Sequence, residues 1–473
     1  MTETALPGVP AERYTVWSVI RDAVRGTHHD YTAGPIGRAI VLLAIPMVLE
    51  MGMESIFAVV DVFWVSRLGP DAVATVGLTE SMLTLVYTAA MGLSIGVAAT
   101  VARRIGEKRP DAAAETAVQG IALGLVVAAV VAVLGVSLAP KLLAVMGAAP
   151  AVTAIGSGYT RMMLGGSATV LLIFLINAIF RGAGDAAIAM RVLWLANTIN
   201  ILLGPCLIFG LGPFPKLGVT GAALATTIGR GTGVLYQIYR LTRGDARVAV
   251  RRIHLALKPA IMASLIRLSG SGTFQVLVGT ASYIGLVRIV STFGSAALAG
   301  YTIAIRLVIF CLLPSWGLSN AAATMVGQSL GAGDPDRAER SVWIASRYNM
   351  VVLGSVGVLF IILAGPIVSL FTHDVTAAPT GALALRTMSC GFVFYALGMV
   401  LTSAFNGAGD TWTPTWINLA CFWAFEIPLA YILARVLGVG PFGVFLAITV
   451  GYSSFAVVSA MLFRKGRWKL RKV

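Results

Sequence analysis

Along this chain, apolar residues gather into long blocks separated by short breaks of charge, glycine or proline. A helix that crosses a membrane needs about 20 mostly apolar residues. Twelve blocks of that kind can be marked, at 39–65, 78–101, 114–138, 158–180, 190–209, 218–240, 262–290, 299–329, 341–371, 381–405, 413–435 and 442–463. Several outrun the hydrocarbon layer, which predicts tilted, kinked or protruding helices. The pattern therefore predicts an all-α polytopic membrane protein with twelve transmembrane helices.

Composition removes the soluble alternative. Of 473 residues, 58% are hydrophobic and 12% charged, against about 45–50% and about 25% in soluble domains. The 52 glycines are scattered through apolar stretches, as in membrane helices, where glycine lets backbones approach. Cys206, Cys311, Cys390 and Cys421 sit in apolar runs without metal or redox spacing and read as packing residues. The net charge of +15 does not point to nucleic acid, because the basic residues lie between spans and at the ends. They include a cluster at 240–258 and the tail RKGRWKLRK at 464–472. Arg103, Arg104, Lys108, Arg109, Arg181, Arg191, Arg337 and Arg340 fall on the side of the termini, with little beyond Arg67, Lys141 and Lys216 opposite. By the positive-inside rule both termini are expected in the cytoplasm. The first 35 residues are polar and show no charged start followed by an apolar core, so no cleavable signal is expected.

An internal duplication organises the chain. FRGAGD at 180–185 returns as FNGAGD at 405–410, an offset of 225 residues. The same offset carries Gly106, Pro110 and Asp111 onto Gly331, Pro335 and Asp336, and Gly69 and Ala74 onto Gly294 and Ala299. Near the ends of the halves, GVTGAALATTIG at 218–229 faces GPFGVFLAITVG at 440–451, where the offset has become 222. Shared offsets of this kind identify a repeat. The expected organisation is a cytoplasmic N-terminal segment (1–35), an N-lobe of six helices (36–240), a basic cytoplasmic connector (241–260), a C-lobe of six helices (261–463) and a basic cytoplasmic tail (464–473). Two parallel six-helix halves leave a cavity at their interface, an arrangement suited to transport by alternating access.

Acidic residues inside spans are costly and mark ion pathways by default. The first span holds three, Glu50, Glu54 and Asp61. At about 100° per residue, Glu54 lies ~40° and Asp61 ~20° from Glu50 around the helix, so all three share a face. The offset of 225 turns them into Gln275, Gly279 and Leu286. Cation coupling is therefore assigned to the first half. Pro46, one turn before Glu50, lacks a backbone donor and is a candidate hinge. Asn177, Asn197 and Asn200 extend the polar set, either as site members or as interhelical hydrogen-bonding residues.

These residues resemble those of the multidrug and toxic compound extrusion (MATE) family. The resemblance rests on Pro46 with VDVFWVSRLG at 60–69, the two GAGD motifs, NTINILLGPCLIFG at 197–210 and AALAGYTIAIR at 296–306. It implies two six-helix bundles forming a V and cation-driven antiport that exports amphipathic, often cationic organic compounds. Asp61 is similar to the family's first-helix aspartate, Pro46 to the proline at which that helix bends, and Asn177 and Asn200 to polar members of the N-lobe cation site. Glu50 and Glu54 join the candidate coupling set. Where fuller sodium sites carry a second aspartate, this chain has Gly204, which favours a proton as the coupling ion while Glu54 keeps sodium open. Gln275 and Tyr395 stand where another branch has C-lobe acids, so coupling through that lobe is not expected. Glu426 and Arg306, the second-half charges within apolar spans, either pair structurally, the favoured reading, or shape the substrate cavity. Trp194, Phe274, Tyr283, Met399 and Phe405 are candidate cavity residues for stacking and cation–π contact.

A lipid-linked precursor flippase of the same superfamily remains the alternative, although it would need several basic residues for a pyrophosphate. No HExxH or GxSxG motif is found, and His28, His29, His254 and His373 lie outside the spans, so an enzyme is not expected. No resident cofactor or metal is implied, only a transported proton or sodium ion. The expected partners are small organic substrates and the lipid bilayer, with no nucleic acid. Family precedent implies a monomer, and the expected location is a prokaryotic inner membrane.

Overall fold

A computed structural model describes residues 16–26 and 29–471; residues 1–15, Thr27, His28 and 472–473 lie outside the described residues. After a short helix α1 (Val16–Arg25) come α2 (Ile36–Ser66), α3 (Pro70–Gly106), α4 (Pro110–Val145), α5 (Pro150–Gly165), α6 (Ser167–Ala183), α7 (Ala186–Phe209) and α8 (Val219–Arg243). The second half repeats the series as α9 (Pro259–Ser291), α10 (Ser295–Gly331), α11 (Pro335–Ser369), α12 (Ala377–Ser389), α13 (Phe392–Gly407), α14 (Trp412–Asn418), α15 (Ile427–Tyr431) and α16 (Pro441–Arg464). α14 and α15 form one span, Trp412–Val436, through intervening π-helical turns. Proline opens α3, α4, α5, α9, α11 and α16, where the missing N–H costs no intrahelical bond.

Twelve spans result. Ten continuous stretches among the described residues are long and apolar enough to cross a membrane, and α12 with α13 make an eleventh, bent by 54°. The twelfth, α8, carries Arg230 near its middle and basic residues in its last turn. One departure from the hydropathy pattern concerns the fourth and tenth spans: the fourth is interrupted by a single non-helical residue within one continuous stretch, and the tenth is bent. The breaks fall at Gly166 and Gly391, again 225 residues apart.

The duplication extends to backbone conformation. Gly69 and Gly294 have φ of 102° and 98°, and Gly184 and Gly409 have 91° and 83°, a left-handed region that favours glycine. Close approaches repeat too. A Cβ on Gly182 would meet the carbonyl of Ala98, and one on Gly407 that of Ala323.

Among the described residues, the close backbone approaches between the two bundles gather towards one end. Gly92 of α3 packs on Thr273 of α9, and its counterpart Gly317 of α10 packs on α2, where a Cβ would lie 2.8 Å from Val48 N. Gly106 and Gly331 bring the ends of α3 and α10 together. Thr324 Oγ1 donates to the Arg181 carbonyl at 3.1 Å and Gln328 Nε2 to the Gly182 carbonyl at 2.9 Å, so α10 seals the end of α6. Towards the other ends of these helices, apolar side chains such as Val59, Leu85 and Ile309 are exposed. Past the contacts between bundles, a Cβ on Gly52 of α2 or on Gly279 of α9 would meet nothing within 4 Å, so the bundles close beside the Arg103–Arg109 loop and part beyond it.

The basic connector and tail are not loose surface charge. In the first half, Arg247 pairs with Asp185 of the GAGD motif at 3.7 Å; in the second, Arg471 pairs with Asp410 at 3.4 Å. Trp468 is fully buried and stacks on Phe463. Lys469 bridges to Glu339 at 2.5 Å, and that hydrogen bond raises the ammonium above the ordinary lysine range. Both GAGD aspartates therefore clamp the segment that follows their own half.

Candidate functional site

Three helices bring polar groups to the inner face of α2. Glu50, 1% exposed, accepts through Oε1 from Arg181 Nη1 at 2.7 Å and from Asn177 Nδ2 at 3.0 Å, both on α6. Asn177 Oδ1 accepts in turn from Gln237 Nε2 of α8 at 2.8 Å. One turn along, Glu54 accepts from Asn197 Nδ2 of α7 at 3.0 Å and lies 3.7 Å from Arg230 Nη2 of α8. Arg230 is buried between Phe57 and Tyr87, with ring centroids 5.7 and 5.8 Å from its guanidinium.

Asp61 differs from these two acids. It is half-buried, lies near Glu80, Arg230 and Tyr159, and has no hydrogen bond or ion pair among the described residues. Glu80, on α3, is exposed and also without an ion-pair partner among them. Four carboxylates thus face two guanidiniums. A buried acid is retained at tolerable cost when a base sits on it, which describes Glu50 and Glu54. Asp61 and Glu80 are the two acids of this set without a base at ion-pair distance among the described residues.

The remaining candidates separate. Pro46 lies inside α2, beside Met47 and Val48 on which Gly317 packs, so the candidate hinge adjoins the closed end. Asn200 does not join Asn177; its Nδ2 donates to Thr226 Oγ1 at 2.7 Å, within the α7–α8 contact. Trp194 ties α7 to α2 through Nε1 to the Leu49 carbonyl at 3.1 Å, with its ring exposed. Phe274 and Tyr283 are exposed on α9. Met399 and Phe405 are buried at 5% and 2% in the packed cores, where no surface is left for a ligand. The expected pairing of Glu426 with Arg306 is not formed: Glu426 is 3% exposed with no ion pair among the described residues, and Arg306 is exposed. Tyr301, Tyr395 and Tyr452 lie around Glu426.

Arg181, Arg230, Gln237 and Glu80 escape the sequence reading. Arg181 stands within FRGAGD and passes for a loop landmark, while Arg230 lies mid-span, where any charge is informative.

Two six-helix bundles, closed against each other at one end around a membrane-buried charge network, define an integral membrane transporter. The MatE family profile matches residues 46–206 and 273–432. The chain belongs to the MatE family of multidrug efflux transporters. It is 24% identical over 448 residues to the probable multidrug resistance protein NorM of Thermotoga maritima, spanning 93% of this chain and 94% of that one. It is 23% identical over 422 residues to a FAD transporter of Shewanella oneidensis, covering 89% and 93%. A solved structure described as the outward-facing conformation of a multidrug resistance MATE family transporter superposes with a TM-score of 0.86 at 26% identity, over 92% of this chain and 96% of that one.

Proposed function

We propose that this transporter is a proton-coupled antiporter, exporting amphipathic, often cationic organic compounds across a prokaryotic inner membrane, with both termini in the cytoplasm. Asp61 carries the reading. It is an acid within a span, beside a second acid and with no base at ion-pair distance, whereas Glu50 and Glu54 are held by Arg181 and Arg230.

The basic loop Arg103–Arg109 lies at the closed end, so the positive-inside rule makes the splayed end the outer face. Protons arriving there neutralise Asp61 and Glu80, and the organic cation they held is released. Closure of the outer end and opening of the inner end then expose the acids to a more alkaline side, where they lose protons and take up substrate. Two protons entering for one monocation leaving move one net charge inward, which gains ~2.3 kcal/mol per 100 mV, enough for roughly a 50-fold substrate gradient, since a decade needs ~1.4 kcal/mol.

The opening step has a physical route. Arg181 holds Glu50 with its guanidinium while its carbonyl accepts from Thr324 across the bundles. A shift in α2 is thus transmitted to the seal, and Pro46 is the place for α2 to bend. The buried guanidiniums are already engaged by carboxylates, which disfavours the flippase alternative. Purified protein in liposomes tests the reading. Accumulation of a cationic dye driven by an imposed pH gradient is expected; accumulation only under a sodium gradient overturns proton coupling.

A further inference from the structure

The C-lobe holds one buried acid that the scheme above leaves unused. Glu426 ends the π-helical stretch Leu419–Glu426, and π turns favour functional sites. Its Oε2 has no hydrogen-bond partner. A Cβ on Gly451 of α16 would lie 2.5 Å from that oxygen. In the N-lobe a Cβ on the corresponding Gly229 would meet the Ala196 carbonyl at 2.5 Å and the Asn200 Cβ at 3.4 Å, with no carboxylate there. The offset of 225 carries Asn200 onto Phe425, so Glu426 is the acid that follows the counterpart of that amide in the second half. In the first half Thr226 satisfies Asn200, but the offset of 222 turns Thr226 into Ile448, so α16 offers no hydroxyl at that position.

The groups around the carboxyl are phenolic. Tyr301 of α10, Tyr395 of α13 and Tyr452 of α16 face it, with Cys421 on its own segment. α9, which also packs against this span, brings Gly285 against Ile427, and no Lys, Arg or His lies within ion-pair distance of Glu426 among the described residues. An ionised carboxylate at 3% exposure without a cation would cost several kcal/mol. A metal cation is disfavoured because this single acid is the only carboxylate at the spot, and hard cations need several oxygen ligands.

We infer that Glu426 is a second, C-lobe proton site, loaded in the outward-open state and emptied as the transporter cycles. The inference rests on reading the chain as proton-coupled but not on Asp61. Glu426→Gln, Asp61→Asn and the unaltered protein, each full-length in liposomes, would be compared for the ratio of protons to a rhodamine methyl ester cation transported. Thermal unfolding would verify that each variant folds. Infrared spectra would follow the carbonyl band of a protonated carboxyl.

The proton ratio is expected to fall by one in Glu426→Gln, with loss of a protonated-carboxyl band present in the unaltered protein. An unchanged ratio, or no band that depends on Glu426, overturns the inference. If Asp61→Asn keeps the full ratio while Glu426→Gln lowers it, the N-lobe reading fails and the C-lobe site stands. A Glu426→Gln protein that does not fold would be replaced by Glu426→Asp, for which retention of the band and of the ratio is expected, and loss of both overturns the inference.

Discussion

The two lobes share a scaffold and differ in what they bury. Their glycines adopt matching conformations at 69 and 294 and at 184 and 409, and their broken helices part at Gly166 and Gly391. Yet where the N-lobe places Glu50, Asn177 and Arg181, the C-lobe has Gln275, Thr402 and Asn406. Backbone approach through small residues holds both bundles together, and the ion pairs inside the spans, Glu50–Arg181 and Glu54–Arg230, lie in the first of them. A buried ion pair adds little to stability over well-packed neutral residues, so the fold alone gives no reason for the charge in the first lobe.

The largest expected asymmetry comes from the buried pair. Arg181→Met strands the Glu50 carboxylate and should cost about 3–5 kcal/mol, while the counterpart Asn406→Ala should cost no more than ~1.5 kcal/mol. Thermal unfolding of both proteins in the same detergent checks this, and equal losses would break the comparison. Next are the seal glycines. Gly92→Ala and Gly317→Ala each force a methyl into the opposite bundle, at about 1–3 kcal/mol. Their effects should be alike, since the contacts correspond, and both should raise labelling of the closed end by a water-soluble probe.

Smaller is the effect at the α3–α4 turn. Lys108 has φ of 57° where the C-lobe has Gly333 at 77°. A non-glycine residue there costs roughly 1–2 kcal/mol, so Lys108→Gly should stabilise by about 1 kcal/mol and Gly333→Lys should do the reverse. Unfolding midpoints would register either change.

Much of the fold can be read from the chain itself. Twelve apolar blocks and one offset define the helices and their pairing, because length and hydropathy are local properties. The breaks at Gly166 and Gly391 escape such a reading, since a window averages over them. So does Trp468, whose burial under a basic tail depends on contact with α16. In the site, helical periodicity places Glu50, Glu54 and Asp61 on one face, but partners on other helices leave no mark in spacing. Asn197 and Asn200, three residues apart, reach Glu54 and Thr226 respectively. The sharpest miss is Arg230, which divides the acids into neutralised and available.

Asp61 is the residue on which the transport scheme turns, and its isosteric neutral form gives the most direct test. Uptake of a cationic dye into liposomes under an imposed pH gradient, without sodium, should be robust for the unaltered protein and absent for Asp61→Asn at unchanged folding. Equal pH-driven uptake by the two proteins would contradict the account.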